Sequence, residues 1–211
     1  MSEPLERWIS VSASGEASIA PDLALVRFAV TDSGKELDTV RDAVNARASA
    51  VLARVRELGV ADGDLTAPDV QIHPEYDYRH GQKLIGYRVA RQMTTRVRNL
   101  DQLGELLDGV VAAGANEVHG AEMTASDPSA AHHAAVASAI VSARAIAQAI
   151  AKAAGVTLGD VLRVEEGEGA GIGSPSRGMM AMSEAAAGGP TEVASGDLTV
   201  VRHIRAWFSI G

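Results

Sequence analysis

The sequence predicts an α+β fold: a mainly antiparallel sheet with helices packed on one face, including one long alanine-rich helix. Three observations carry that prediction. Several segments alternate apolar and polar residues at period two, as half-buried strands do. Others repeat apolar residues at steps of three and four, as helices with one buried stripe do. The order is strand, strand, helix, strand, strand, helix, strand, helix, strand, strand, and adjacent strand pairs favour hairpins over a parallel sheet.

The elements follow in order. Ile9 to Ser14 alternates as a strand, and Pro21-Asp22 marks the turn into a second strand from Leu23 to Val30. There Ala24, Val26, Phe28 and Val30 share one face. Glu36 to Leu58 is a helix whose Leu37, Val40, Val44, Val51, Val55 and Leu58 form a stripe, ended by Gly59. Val70 to His73 is a short edge strand between Pro68 and Pro74, followed by a polar hairpin tip through Gln82. A long strand runs from Leu84 to Arg98, and a short helix from Asp101 to Ala113. Val118 to Ser126 is a strand. Asp127 caps a long helix with Pro128 in its first turn, running to Ala154 and stopping at Gly155. Val161 to Val164 and Leu198 to Ile210 are the last strands. Between them, residues 167–195 are a Gly/Ala/Ser/Met-rich excursion, expected as a mobile segment on a single domain spanning residues 8–211.

Composition excludes several functions. The chain has 211 residues, is 46% hydrophobic and has only 3% aromatics, so its core must be Val, Leu, Ile and Ala. A net charge of -8 argues against a nucleic-acid partner. With no cysteine there is no disulfide, thiolate metal site or cysteine nucleophile. Residues 1–7 lack the apolar core and cleavage site of a signal peptide, which predicts a cytoplasmic protein. A natural start further upstream would return a periplasmic or other extracytoplasmic site. No transmembrane segment is expected. The one long apolar stretch, in the alanine-rich helix, carries His, Arg, Gln and Lys.

A series of short blocks then resembles the SIMPL-domain family of bacterial oxidative-stress defence proteins and of the Brucella periplasmic immunogenic protein. The blocks are Val11-Ser-Ala-Ser-Gly-Glu-Ala, Pro21-Asp-Leu-Ala, Leu65-Thr and Val70-Gln-Ile-His-Pro-Glu-Tyr. Gly86-Tyr-Arg-Val-Ala, Val97-Arg-Asn-Leu-Asp-Gln-Leu-Gly and Ala113-Gly-Ala-Asn continue the series. Ala143-Arg and Ala151-Lys-Ala-Ala-Gly-Val-Thr-Leu-Gly end it. Their order and spacing, from Ile9 to Ile210, carry the likeness more than any one motif. The resemblance implies an α+β fold, large ring-like oligomers, no established catalytic residues and no cofactor.

Four groups of residues are candidates for a site. His73, Tyr76, Tyr78 and His80 gather at the hairpin tip, as a binding patch, an oligomer contact or a solvated loop. Arg27, Arg88, Arg96, Arg98, Arg202 and Arg205 lie on strands. On one shared face they would bind an anion or acidic partner; otherwise they pair with Glu16, Glu122 and Glu165 across strands. Met179, Met180 and Met182 offer an adaptable apolar contact or a reversible oxidation target. His132 and His133 are neighbours on a helix, about 100° apart, so they do not converge on one metal. The Gly-rich run at 167–173 lacks the lysine and following helix of a phosphate loop. The expected function is therefore a non-enzymatic, self-assembling protein linked to stress defence. The alternative is a binding module for a small anion or partner protein, using the arginine face or the Tyr/His tip.

Overall fold

A computed structural model describes residues 7–68, 70–79, 81–167, 171–173 and 196–211. The elements are β1 (Trp8–Ile19), β2 (Leu23–Gly34), α1 (Leu37–Glu57), β3 (Leu65–Thr66), β4 (Gln71–Asp77) and β5 (Lys83–Val97). Then come α2 (Leu103–Ala112), β6 (Glu117–Thr124), α3 (Ser129–Ala154), β7 (Leu158–Glu166), β8 (Gly171–Gly173) and β9 (Leu198–Ile210). The fold is α+β with antiparallel sheets throughout, as the sequence predicts. In place of one sheet there are two, and they belong to two compact units: β1, α3, β7, β8 and β9 form the first, and β2 to β6 with α1 and α2 the second.

In the first unit the strand order is β1-β9-β7, with β8 also on β9. β1 and β9 pair without a register break from Trp8 opposite Ser209 to Ile19 opposite Leu198. Ile9, Val11, Leu198, Val200, Ile204, Ala206 and Phe208 are buried on one face, where α3 packs. The helix contributes Ala131, Ala135, Ala139, Ala143, Ala147 and Ala151, all buried. The larger residues at Ile140, Ile146 and Ile150, the natural core candidates by size, are instead exposed. The reason is distance. A side chain added at Gly15 would strike the backbone of Ala135 and Ala139, so helix and strand touch main chain to main chain. Only alanine leaves room for that approach. A four-residue step advances about 400° around the helix, so this row winds slowly and suits a long twisted ribbon of strands. α3 starts at Ser129 with Pro128 at its cap position, one residue later than expected; Asp127 Oδ1 still accepts the Ser129 N–H at 2.9 Å, and the helix ends at Gly155. By length and composition alone α3 could also cross a membrane.

In the second unit the order is β3-β5-β2-β6, with β4 also paired to β5. Ala24, Val26, Phe28 and Val30 on β2 and Val89, Met93 and Val97 on β5 form one face of the sheet. α1 covers it with Val40, Val44, Ala48, Val51 and Val55, and α2 with Leu103, Leu106 and Val110. Each fully buried Val, Leu or Phe contributes about 1.5–3 kcal/mol, so this layer is the main source of that unit's stability. β4 is longer than the sequence suggested. It passes through Pro74 to Asp77, which an edge strand tolerates, and the hairpin tip shrinks to residues 78–82. One more correction concerns the Gly-rich excursion: residues 171–173 are a strand on β9, opposite Thr199 to Val201.

Candidate functional site

The hairpin residues do not form one cluster. His73 and Tyr76 are three positions apart on β4, with a register shift between Glu75 and Tyr76. His73 lies opposite Arg88. Tyr76 and Tyr78 stay together, with ring centroids 6.3 Å apart and planes tilted by 52°. Tyr76 lies opposite Leu84 near the far end of the β4–β5 arm, and Ile72, Leu84 and Ile85 on the same arm are exposed. His80 and Met179, Met180 and Met182 lie outside the described residues.

The arginines are divided between the two sheets, so they do not build one cationic face. In the second unit Arg27 pairs with Glu122 at 3.0 Å and Arg88 with Glu117 at 2.9 Å. Arg98 grips Asp64 with two bonds, Nε to Oδ2 at 2.7 Å and Nη2 to Oδ1 at 2.8 Å. Those bonds hold the Asp64 carboxyl below its ordinary range and raise the Arg98 guanidinium. Arg96 sits exposed opposite Leu25. In the first unit Arg202 pairs with Glu166 at 3.4 Å. Of the three acidic partners expected, Glu122 takes its strand arginine, while Glu165 goes to Arg163, a residue outside the expected set.

Arg205 is different. Among the described residues it has no carboxylate partner. Its Nε donates to Ser10 Oγ at 3.1 Å, and its guanidinium lies 5.0 Å from the centroid of Trp207. Arg163, one strand away, lies 5.3 Å from the same ring. β-Pairing explains the grouping: Trp207 is opposite Ser10 on one side and Arg163 on the other, and Arg205 is opposite Ser12. Trp207 and Ser10 escaped sequence reasoning because their link to Arg205 depends on pairing two strands at opposite ends of the chain.

A cavity of about 530 Å³ lies in the same unit. It is lined by Ala13, Ile204, Ser142, Ile146 and Gly167, and by the neighbours of the first two along their strands. Ala13 and Ile204 are paired on the helix side, and Ser142 and Ile146 are on α3. The cavity thus opens beside the helix–sheet contact, and Arg205 is among the residues that line it. Among the described residues no three His, Asp or Glu side chains gather as metal ligands would. His132 is half-buried and His133 exposed; both lie near Asp127, whose carboxyl is held below its ordinary range chiefly by hydrogen bonds from Ser129.

YggE of Escherichia coli K12, described as an uncharacterized protein, is 30% identical over 120 residues, 56% of this chain and 49% of that protein. The chain thus matches about half the length of that relative. YggE of Edwardsiella ictaluri is 34% identical over 158 residues, 73% of this chain and 66% of its own. The 26 kDa periplasmic immunogenic protein of Brucella melitensis is 30% identical over 164 residues, 75% and 66% of the two chains. The SIMPL family, described as proteins of unknown function (DUF541), matches residues 9–208, and the chain belongs to it.

Proposed function

We propose that the protein acts by self-association, without a catalytic centre, in bacterial stress defence. The observation that carries this reading is the number of large apolar side chains left in solvent on the β4–β5 arm, β7 and α3. They include Ile72, Tyr76, Tyr78, Leu84 and Ile85 on the β4–β5 arm, Val161, Leu162 and Val164 on β7, and Ile140, Val141, Ile146 and Ile150 on α3. Single exposed apolar residues are ordinary; contiguous ones mark interaction surfaces. Asp64 and Asp127, whose carboxyls are held below their ordinary range, are taken up structurally, by Arg98 and by the start of α3, which supports a role without acid–base chemistry. The stress link rests on the family resemblance. For location we adopt an extracytoplasmic site in place of the cytoplasmic one, on the strength of the Brucella relative's name. Cell fractionation tests that.

Light scattering on the purified protein decides the main reading. A stable oligomer supports it, and a monomer throughout the micromolar range sinks it. A deletion strain that survives peroxide as well as its parent would remove the stress link.

A second reading, an anion-binding module, is favoured by Arg205. Ser10 and Trp207 hold its guanidinium in place without a carboxylate, which leaves its remaining donors for an oxyanion. Saturable stabilisation by inorganic phosphate that disappears in Arg205→Ala would support it. A wild-type response no larger than that to sodium chloride would end it.

A further inference from the structure

The strand edges of the protein are not treated alike. β6 breaks its register against β2 between Val26 and Phe28, and Gly120 there has φ of 80°, a left-handed conformation that suits glycine at a bulge. β4 contains Pro74 and meets a bulge of β5 at Glu75/Tyr76. β7 shifts register twice against β9 and carries Asp160, Arg163, Glu165 and Glu166. β3 and β8 are two and three residues long. These are the devices by which proteins prevent edge-to-edge pairing.

β1 has none of them. It is twelve residues long, its register with β9 is unbroken, and among the described residues it is the terminal strand of its sheet. At about 3.4 Å per residue its free edge is about 40 Å long. It has no proline, and Glu16 is its one charged residue. The helix beside it is also unfinished. α3 packs its alanine row on β1 and β9, while Ile140, Val141, Ile146 and Ile150 remain 38–70% exposed. From Ser129 to Ala154 the helix has no acidic residue.

We propose that β1 pairs antiparallel with β1 of a second copy across a two-fold axis, extending the sheet to β7-β9-β1-β1-β9-β7. This deepens the self-association reading and rests on it. The occupant is a second copy because one operation meets both needs. An antiparallel dyad stands perpendicular to the sheet, so it satisfies both free edges and sets both α3 helices on the same face, side by side. Their alanine-rich flanks permit a close approach. The outer face would align a row of Ser10, Ser12 and Ser14 from each copy, with little charge to oppose pairing.

The test compares oligomeric mass by light scattering in three proteins. Ser12→Lys/Ser14→Lys places like charges across the dyad on exposed positions. Tyr76→Ser/Tyr78→Ser, on the hairpin arm, is the control, and circular dichroism verifies folding of each. The wild type should be a dimer or an even-numbered assembly. The lysine pair should raise its dissociation constant about tenfold or more, and the tyrosine pair should leave the two-fold unit intact. An assembly unchanged by the lysine pair but lost in the tyrosine pair overturns this interface and leaves self-association standing. A monomeric wild type overturns both.

Discussion

The two units build their cores in opposite ways. In the second, two helices rest on a sheet through large side chains: Phe28, Met93, Leu103, Leu106 and a set of valines are all fully buried. In the first, six alanines and Gly15 bring one helix down to the backbone of the sheet, and Phe208 and Leu198 fill the flanks. The first arrangement depends on absent atoms and the second on present ones. Their mutational sensitivities should therefore have opposite signs with respect to side-chain size.

The largest effect is expected from Phe28→Ala. Phe28 is 1% exposed at the centre of the second unit, and truncation should cost about 4 kcal/mol in urea unfolding. Hydrogen exchange should show the loss in β2, β5 and α1. Gly15→Ala should come next, at about 3 kcal/mol, from a single added carbon. The atoms it would meet belong to the α3 backbone and cannot rotate away, so exchange should rise in β1 and α3. A near-neutral Gly15→Ala would show that the helix can shift and that the close approach is not needed. The reverse change sharpens the contrast. Leu106→Ala in the second unit should cost about 3 kcal/mol through its cavity, whereas Ala143→Gly should cost only about 1 kcal/mol, most of it lost helix propensity. Equal costs would erase the distinction between the two cores.

The elements of both units were legible in the sequence because their signals are local. The β9 bounds, the α1 stripe and the Asp127 start of α3 all follow from spacing and capping within a few residues. The division into two sheets was not legible, because β1 pairs with β9 almost the full chain away while β2, the next strand, joins β5 and β6. No periodicity records which strands are partners. The same gap hid the candidate site: Arg205 was visible as a strand arginine, but Ser10 and Trp207 join it only through that pairing. It also left the role of α3 open: alanines at strict four-residue steps were in plain view, but their meaning depended on knowing that Gly15 lay beneath.

The smallest expected effect is electrostatic, and it again separates the units. Asp64 in the second unit is held below its ordinary value near 3.8 by hydrogen bonds from Arg98, and Asp127 in the first by hydrogen bonds from Ser129. A lowered folded-state pKa adds stability above the unfolded value and loses it as pH falls through the folded one. Both contributions should therefore be complete at neutral pH and fade below about pH 3.8. Asp64→Asn leaves one oxygen where Arg98 has a two-pronged grip, so the variant should be less stable than wild type at pH 7 and converge with it in acid. Asp127→Asn keeps an oxygen able to accept the Ser129 N–H, since asparagine caps helices as well as aspartate does, so its curve should lie closer to wild type at every pH. Urea unfolding at a series of pH values measures both. If Asp127→Asn proved the more damaging, charge at the start of α3 would matter more to the first unit than the Arg98 pair does to the second. The two units would then differ in electrostatics as much as in packing.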